Sequence, residues 1–315
     1  MKRVRGFLGL LPVILLALAA CSSSAPSGTS STAAGAGAGG TVKVLYAGSL
    51  VDLMEHSLGP QFDKATGDTF QGFSAGSSEL AMQIKGKIRQ GDVFISASPS
   101  VNNDLMGAAN GNWAPWYVTF ASAPLVIGYY PHSKFAAELT SKPWYQVITE
   151  PGFKLGGTDP KVDPKGVLAG QALTEAATDY DDPGLPAAAT KNITVLPETQ
   201  LVGRLESGQL DAGFFYSNEA SEQKIPTVGL GQVKLASEYA ATVLNMAPDP
   251  GPAAAFVRYL VSPAGEALLR QDGLTVLPLA LFGDPSAVPA SLKPVLPSTA
   301  SSPPSPAAST TSGPH

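Results

Sequence analysis

Apolar residues recur with two periods near the start of the chain, every second residue as in strands and every three to four residues as in helices. Residues 41–46 (TVKVLY) alternate and are rich in β-branched side chains, which predicts a strand. Residues 68–73 and 92–96 predict two more strands, and the helical spacing of apolar residues in 50–64 and 79–90 predicts helices between them. A β-α-β-α-β order predicts an α/β fold in which helices flank a mostly parallel sheet.

The same class of element continues through the rest of the chain. Residues 124–130 (PLVIGYY) and 212–216 (AGFFY) predict buried strands. Helices are predicted for residues 200–207, 251–260 and 263–271.

The first 21 residues are typical of an export signal. Lys2, Arg3 and Arg5 precede an apolar run of 14 residues, which is too short to span a bilayer as a helix. The run ends in Leu-Ala-Ala before Cys21, which resembles a bacterial lipobox, so we expect Cys21 to be acylated and to anchor the protein to a membrane. The alternative is an ordinary signal peptide with an unrelated cysteine.

Two further segments have a composition that does not favour folding. Residues 22–40 contain Ser, Ala, Gly and Thr with one Pro, which predicts a flexible tether. Residues 285–315 are rich in Pro, Ser, Ala and Thr with Lys293 as the only charge, which predicts a disordered tail. The folded part is therefore expected to span residues 41–284.

Charge and composition exclude several classes of function. Residues 41–284 carry 16 basic and 25 acidic residues, a formal net charge of −9, which argues against a nucleic-acid partner. The chain has one cysteine and three histidines, so it offers no disulfide, no cysteine metal site and little histidine chemistry. We expect no resident cofactor and no enzymatic activity.

Small polar or acidic residues stand where predicted helices begin. Ser49 and Ser77 follow predicted strands, and Asp163 and Glu198 precede predicted helices. Free N–H groups at helix N-termini bind anions, so several such termini facing one cleft would form an anion site. Each residue alone is equally typical of a helix cap.

Six segments of the chain match the sequence motifs of one known protein family. VLYAGSL (44–50), FSAGSSEL (73–80) and DVFISAS (92–98) are similar to the first lobe of its members. DPKVDPKG (159–166), PETQLVGRLESG (197–208) and DAGFFYSNEA (211–220) are similar to the second lobe. In these segments, which occur in the family's order over residues 42–283, the chain resembles the molybdate/tungstate-binding proteins of ABC importers, and the archaeal-type tungstate-binding branch most of all.

The resemblance implies a two-lobed clamp of the periplasmic-binding-protein type (type II). It implies a first lobe of residues 42–121 plus 239–284 and a second lobe of residues 122–238. The oxyanion would lie between the lobes, and the expected ligand-binding residues are Gly48, Ser49, Ser77, Asp163, Pro164, Lys165, Glu198 and Tyr216. The expected partners are molybdate or tungstate, the ABC permease and the membrane, and we expect a monomer.

Asp163 and Glu198 have a special role in this resemblance. In the tungstate branch, carboxylates at these positions are understood to bond the metal and raise its coordination from four to six. Mo(VI) and W(VI) accept extra oxygen ligands, whereas sulfur in sulfate does not, so the pair would discriminate against sulfate and phosphate. Lys165 departs from the pattern, since related sequences often have a small residue there. We expect its backbone to serve and its side chain to lie at the rim.

Other interpretations remain open at this point. Gly72-Phe73-Ser74-Ala75-Gly76 satisfies the G-x-S-x-G pattern of serine hydrolases, but only His132 and His315 follow Ser74. The same clamp could also bind sulfate, phosphate, ferric iron or a small organic acid, since a fold does not fix its ligand. A surface receptor without a transport role has the same sequence features.

Overall fold

Ten strands form one continuous mixed sheet in the computed structural model, which describes residues 39–301. The strands are β1 (Thr41–Ala47), β2 (Thr69–Ala75), β3 (Val93–Ser96), β4 (Trp116–Tyr129), β5 (Leu155–Gly157), β6 (Ile193–Val195), β7 (Ala212–Tyr216), β8 (Thr227–Val228), β9 (Ala236–Val243) and β10 (Thr275–Gly283). Their order is β2-β1-β3-β9-β4-β7-β5-β6, and β8 and β10 also pair with β4.

Eleven α-helices lie within the same residues. They are α1 (Gly59–Thr66), α2 (Ser77–Lys85), α3 (Pro99–Asn103), α4 (Ala136–Ser141), α5 (Trp144–Val147), α6 (Pro164–Asp179), α7 (Leu185–Asn192), α8 (Glu198–Glu206), α9 (Ser217–Glu222), α10 (Pro250–Leu260) and α11 (Pro263–Gln271). Short 3₁₀ segments occur at Gly48–Leu50, Ala108–Asn110 and Pro285–Ala287, and a π-helical segment at Leu53–Leu58.

The long strand β4 joins two halves of the sheet. Residues 116–124 pair with β9 and β10, and residues 125–129 pair with β7 and β8. We call β1–β3, β9, β10 and residues 116–124 the first half-sheet, and β5–β8 and residues 125–129 the second half-sheet. The expected division into two lobes stays a prediction, because the described residues 39–301 form one compact unit.

The predicted α/β class is confirmed. Strands β1, β2 and β3 are mutually parallel neighbours, as are β6, β5 and β7, and antiparallel pairing is confined to the strands that contact β4 and to the β3–β9 pair. Helices cover the sheet with apolar side chains, for example where Phe62 of α1 contacts Phe256 of α10 with ring centroids 5.2 Å apart.

Three sequence predictions need correction. The single helix expected at residues 50–64 is divided into 3₁₀, π and α segments, and β4 begins at Trp116 rather than near residue 124. Part of the expected disordered tail, residues 285–301, packs on the fold, since Val288, Leu292 and Leu296 are buried in the main core. Their spacing of four residues places these apolar side chains on one face, a signal that the Pro- and Ser-rich composition masks.

The signal, lipobox and most of the tether lie outside the described residues, as do residues 302–315. Between residues 39 and 301, no helix combines the length and apolar character needed to cross a membrane.

Candidate ligand-binding site

The predicted ligand-binding residues come from the ends of strands and the starts of helices on both half-sheets. Gly48 and Ser49 follow β1, Ser77 opens α2 after β2, and Tyr216 ends β7. Asp163, Pro164 and Lys165 form the start of α6, and Glu198 is the first residue of α8. The structure brings three of them, Asp163, Lys165 and Glu198, together with Glu219, and we call these four residues the carboxylate cluster.

Glu198 joins the two half-sheets. Its carboxylate Oε2 accepts a hydrogen bond of 2.9 Å from the backbone N–H of Gly48. A Cβ atom on Gly48 would lie 2.4 Å from that oxygen, so only glycine allows this close approach. The side chain is only 5% exposed, so it is not the solvated charge that a helix N-terminus often carries.

Asp163 is both a helix cap and a member of the cluster. Its Oδ1 accepts a hydrogen bond of 3.0 Å from the N–H of Lys165, as an N-cap residue normally does. Its second oxygen, Oδ2, is buried and has no hydrogen-bond partner. Gly76 of the first half-sheet lies against it, because a Cβ there would be 3.3 Å from the Asp163 Cβ. Asp163 therefore also lies where the two half-sheets meet.

The Lys165 side chain corrects the sequence prediction, which placed it at the rim. It is 1% exposed, and its Nζ lies 2.7 Å from Glu219 Oε2 and 3.3 Å from Glu198 Oε1. The ring of Tyr216 lies 5.3 Å from the same ammonium. A buried ammonium is costly unless carboxylates surround it, and here two carboxylates are in direct contact with it.

The charges of the cluster shift the pKa values of its members. Burial and the Asp163 charge raise the pKa of Glu198 to about 8, although Lys165 acts in the opposite direction. Burial alone would lower the pKa of Lys165, but Glu219, Glu198 and Asp163 outweigh it and raise that pKa above its ordinary value. At neutral pH, Lys165 is therefore an ammonium, whereas Glu198 is mostly a neutral carboxyl group.

Polar groups around the cluster divide into satisfied and unsatisfied sets. Ser49 Oγ lies 3.0 Å from the Tyr239 hydroxyl, and the Ser49 carbonyl accepts from Asn218 Nδ2 at 2.9 Å. Within residues 39–301, the buried hydroxyl of Tyr216 has no hydrogen-bond partner, and burial raises its pKa well above the ordinary value. Tyr216 is thus a neutral hydroxyl, and its role towards a ligand stays a prediction.

Ser77 and Pro164 lie to one side of the cluster. Ser77 Oγ accepts a hydrogen bond of 3.0 Å from the N–H of Ala97, so its hydroxyl is engaged within the protein. Pro164 lines a cavity of about 510 Å³ together with Ser78 and Ala97. A second cavity of about 330 Å³ is lined by Gly48, Ser49, Ser74, Glu198 and Glu219, among others. The ligand roles of Ser77 and Pro164 stay predictions.

Within the part of the chain that the structure describes, Ser74 and His132 of the serine-hydrolase alternative do not lie in one site. Ser74 lines the cavity beside Glu198, whereas His132 packs against Tyr130 and lines a different cavity. The other candidate, His315, lies outside the described residues.

Three residues of the site were not identified from the sequence. Asn218 and Glu219 follow β7 directly, in the same kind of position that pointed to Ser49, so that signal was available. Tyr239 lies inside β9, where nothing in the sequence distinguishes it from a core aromatic residue.

Most of the described residues match a known protein family. Residues 42–275 match the family model described as bacterial extracellular solute-binding protein. The chain belongs to this family. The members of this family are solute-binding proteins rather than enzymes.

Two relatives are similar to this chain in sequence, and one solved structure is similar to it in fold. A Haloferax volcanii protein with the name of an ABC transporter molybdenum-binding protein is 32% identical over 216 residues, covering 66% of this chain and 67% of its own. The molybdate/tungstate-binding protein WtpA of Pyrococcus abyssi is 27% identical over 271 residues, covering 69% and 77%. The periplasmic molybdate-binding protein of Azotobacter vinelandii has the same fold, with a TM-score of 0.60 at 21% identity, covering 75% of this chain and 99% of its own.

Proposed function

We propose that this protein is a lipid-anchored, extracytoplasmic solute-binding protein that captures molybdate or tungstate for an ABC importer. The ligand would lie at the carboxylate cluster, between the first and second lobes predicted from the sequence. Capture requires no covalent chemistry, only a hinge motion that closes the two lobes on the oxyanion. The permease would then receive the closed form.

A carboxylate oxygen of Asp163 carries this proposal. Asp163 and Glu198 each accept a backbone N–H with one oxygen, from Lys165 and Gly48 respectively. Within residues 39–301, the other Asp163 oxygen, Oδ2, is buried without a hydrogen bond, and Glu198 Oε1 has only the Lys165 ammonium, 3.3 Å away. Buried acceptors normally have hydrogen-bond partners, so the Asp163 oxygen in particular supports a bound species that completes the cluster. A metal centre that accepts extra oxygen ligands fits both oxygens.

The remaining groups suit the oxo atoms and the charge of the ligand. The free Tyr216 hydroxyl can donate a hydrogen bond to an oxo atom. The Lys165 ammonium offsets part of the charge that a dianion brings to three carboxyl groups. Without the Lys165 ammonium, the carboxylates would repel any oxyanion. Sulfate and phosphate accept no extra oxygen ligands at their central atom, so the cluster still disfavours these two anions.

Calorimetric titration tests the proposal. A fragment of residues 38–315, which contains the compact unit of residues 39–301, is titrated with molybdate, tungstate, sulfate and phosphate at pH 8. We expect 1:1 binding of the first two and no measurable heat from the others. Asp163→Asn and Glu198→Gln should each weaken molybdate binding at least tenfold, whereas Glu206→Gln, at the exposed end of α8, should not.

Other outcomes would change the proposal in defined ways. Binding of sulfate or phosphate with equal affinity would keep an anion clamp and remove the coordination argument. Unchanged affinity in both carboxylate variants would place the ligand elsewhere. No heat from any oxyanion would overturn the proposed ligand class.

A further inference from the structure

A group of basic and apolar side chains lies on the first half-sheet, away from the carboxylate cluster. We call it the basic patch, and its members are Lys43, Lys87, Ile88, Arg89 and Met246. Lys43, Ile88 and Arg89 line one cavity of about 450 Å³, and Lys87, Arg89 and Met246 line an adjoining one of about 130 Å³. Because Arg89 and Gln90 belong to both cavities, these side chains form one continuous surface.

The cations of the basic patch are not neutralised by neighbours. Among residues 39–301, neither of its two lysines nor Arg89 takes part in an ion pair. The nearest acid in sequence, Asp92, is buried, and its carboxylate accepts N–H groups from Lys43 and Asp249 at 2.7 Å each. The patch is therefore locally positive on a folded part with a formal net charge of −9.

The two apolar side chains of the basic patch are exposed to solvent. Ile88 is 78% exposed and Met246 is 69% exposed. Lys87 adopts a left-handed conformation with φ of 56°, and the N–H groups of Lys87 and Ile88 donate to carbonyls in the last turn of α2 at 3.0 and 2.9 Å. At such helix ends, an apolar residue in the position of Ile88 usually packs back against the helix. Here it lies over Gly86 instead, so a hydrogen-bonded turn presents it to solvent.

The position of the basic patch relates it to the predicted tether. Strand β1 begins at Thr41, directly after the tether, and Lys43 is its third residue. The carboxylate cluster lies beyond the opposite end of β1, at Gly48. Helix α2 also runs from Ser77, beside the cleft, to Lys85, two residues before Lys87 of the patch, a distance of about 13 Å for nine residues. The patch therefore lies at the edge of the sheet where β1 begins, and the ligand site lies at the other edge.

We propose that the basic patch binds the anionic surface of a phospholipid membrane. Its cations would pair with lipid phosphates, and Ile88 and Met246 would enter the headgroup region. If Cys21 carries the lipid anchor of the proposed function, the tether of 19 residues has a root-mean-square span of about 24 Å, which keeps the patch near the bilayer. A weak interaction then suffices, because tethering raises the local concentration. Bound this way, the protein directs its ligand cleft away from the membrane.

Co-sedimentation of residues 38–315 with vesicles tests this proposal without the anchor. We expect binding to vesicles that contain phosphatidylglycerol, loss of that binding at high salt, and no binding to pure phosphatidylcholine. The double variant Lys43→Gln with Lys87→Gln should weaken binding about 30-fold, since each basic residue near an anionic surface contributes about fivefold. Ile88→Ser should weaken it several-fold.

A matched control uses an exposed cation and an exposed valine on the second half-sheet. Lys191→Gln with Val195→Ser should bind vesicles as the unchanged protein does, since neither residue lies on the basic patch. Absence of binding to phosphatidylglycerol, equal binding to phosphatidylcholine, or equal weakening by the control pair would each overturn the proposal. Urea unfolding of the Lys43/Lys87 variant checks its folding, so the vesicle result does not depend on the ligand proposal.

Discussion

Molybdate binding should strengthen as the pH rises towards 8, because Glu198 must lose a proton to bond the metal. Burial and Asp163 raise the pKa of this carboxyl group to about 8 in the unliganded protein. Below that value, coordination has to release the proton, and each pH unit costs about 1.4 kcal/mol, or tenfold in affinity. Affinity at pH 6 should therefore be about 100-fold lower than at pH 9, with a plateau above pH 8.

Calorimetry in two buffers of different ionisation enthalpy measures the proton directly. Near pH 7 we expect close to one proton released per molybdate bound, falling to zero at pH 9. In Glu198→Gln the pH dependence should disappear along with most of the affinity, whereas Glu206→Gln should keep both. An affinity that is flat or that falls between pH 6 and pH 8 would refute the reasoning, since a neutral Glu198 that donates a hydrogen bond predicts the fall.

The same group makes a prediction about the stability of the unliganded protein. The folded pKa of Glu198 lies above the ordinary value of an unfolded glutamate, so the unfolded state loses its proton first. Stability should therefore decrease as the pH rises from about 4.5 to about 8, by a few kcal/mol at most. Urea unfolding of the unchanged protein and of Glu198→Gln at both ends of this range isolates the contribution, which should be absent in the variant.

Three further substitutions have expected outcomes. Lys165→Met should lower the free energy of unfolding by about 3 kcal/mol at pH 8, measured by urea titration, because it leaves buried carboxylates unpaired. Adding Glu219→Gln should recover part of this loss. Full additivity of the two substitutions would contradict the pairing of Lys165 with Glu219. Gly48→Ala should weaken molybdate binding in calorimetry, because its Cβ would displace the carboxylate of Glu198, and an unchanged affinity would show that this contact is dispensable. Burial and Asp272 raise the pKa of Glu222 to about 11. Glu222→Gln should therefore raise the melting temperature by about 3 °C at pH 8 and have little effect near pH 5. A larger rise in melting temperature near pH 5 than at pH 8 would refute the pKa shift.

Local sequence predicts which residues come together better than it predicts the contacts between their charged groups. Small polar and acidic residues at strand ends and helix starts point to Ser49, Asp163 and Glu198, since parallel strands direct their carboxyl ends to one edge of the sheet. Gly48 is predicted only by the family resemblance. Apolar periodicity likewise predicts the α/β class. These features depend on local sequence, which is why they can be predicted without coordinates.

Long-range contacts account for what the sequence pattern does not predict. Lys165 appears in the sequence as a surface lysine, and only the approach of Glu219 from α9 explains its burial. Tyr239 reaches Ser49 from a strand 190 residues away. The ordered segment after residue 284 depends on three apolar side chains whose contacts lie across the fold. Each case requires a partner that the local pattern does not contain.

X-ray absorption spectroscopy of the complex with molybdate tests the central claim most directly, because it counts the oxygen atoms bonded to the metal. We predict six oxygen neighbours in the unchanged protein, from four oxo atoms plus one carboxylate oxygen each from Asp163 and Glu198. We predict five in Asp163→Asn under conditions that saturate the site. Four oxygen neighbours in the unchanged protein, as in free molybdate, would show that the carboxylates do not bond the metal and would contradict the account.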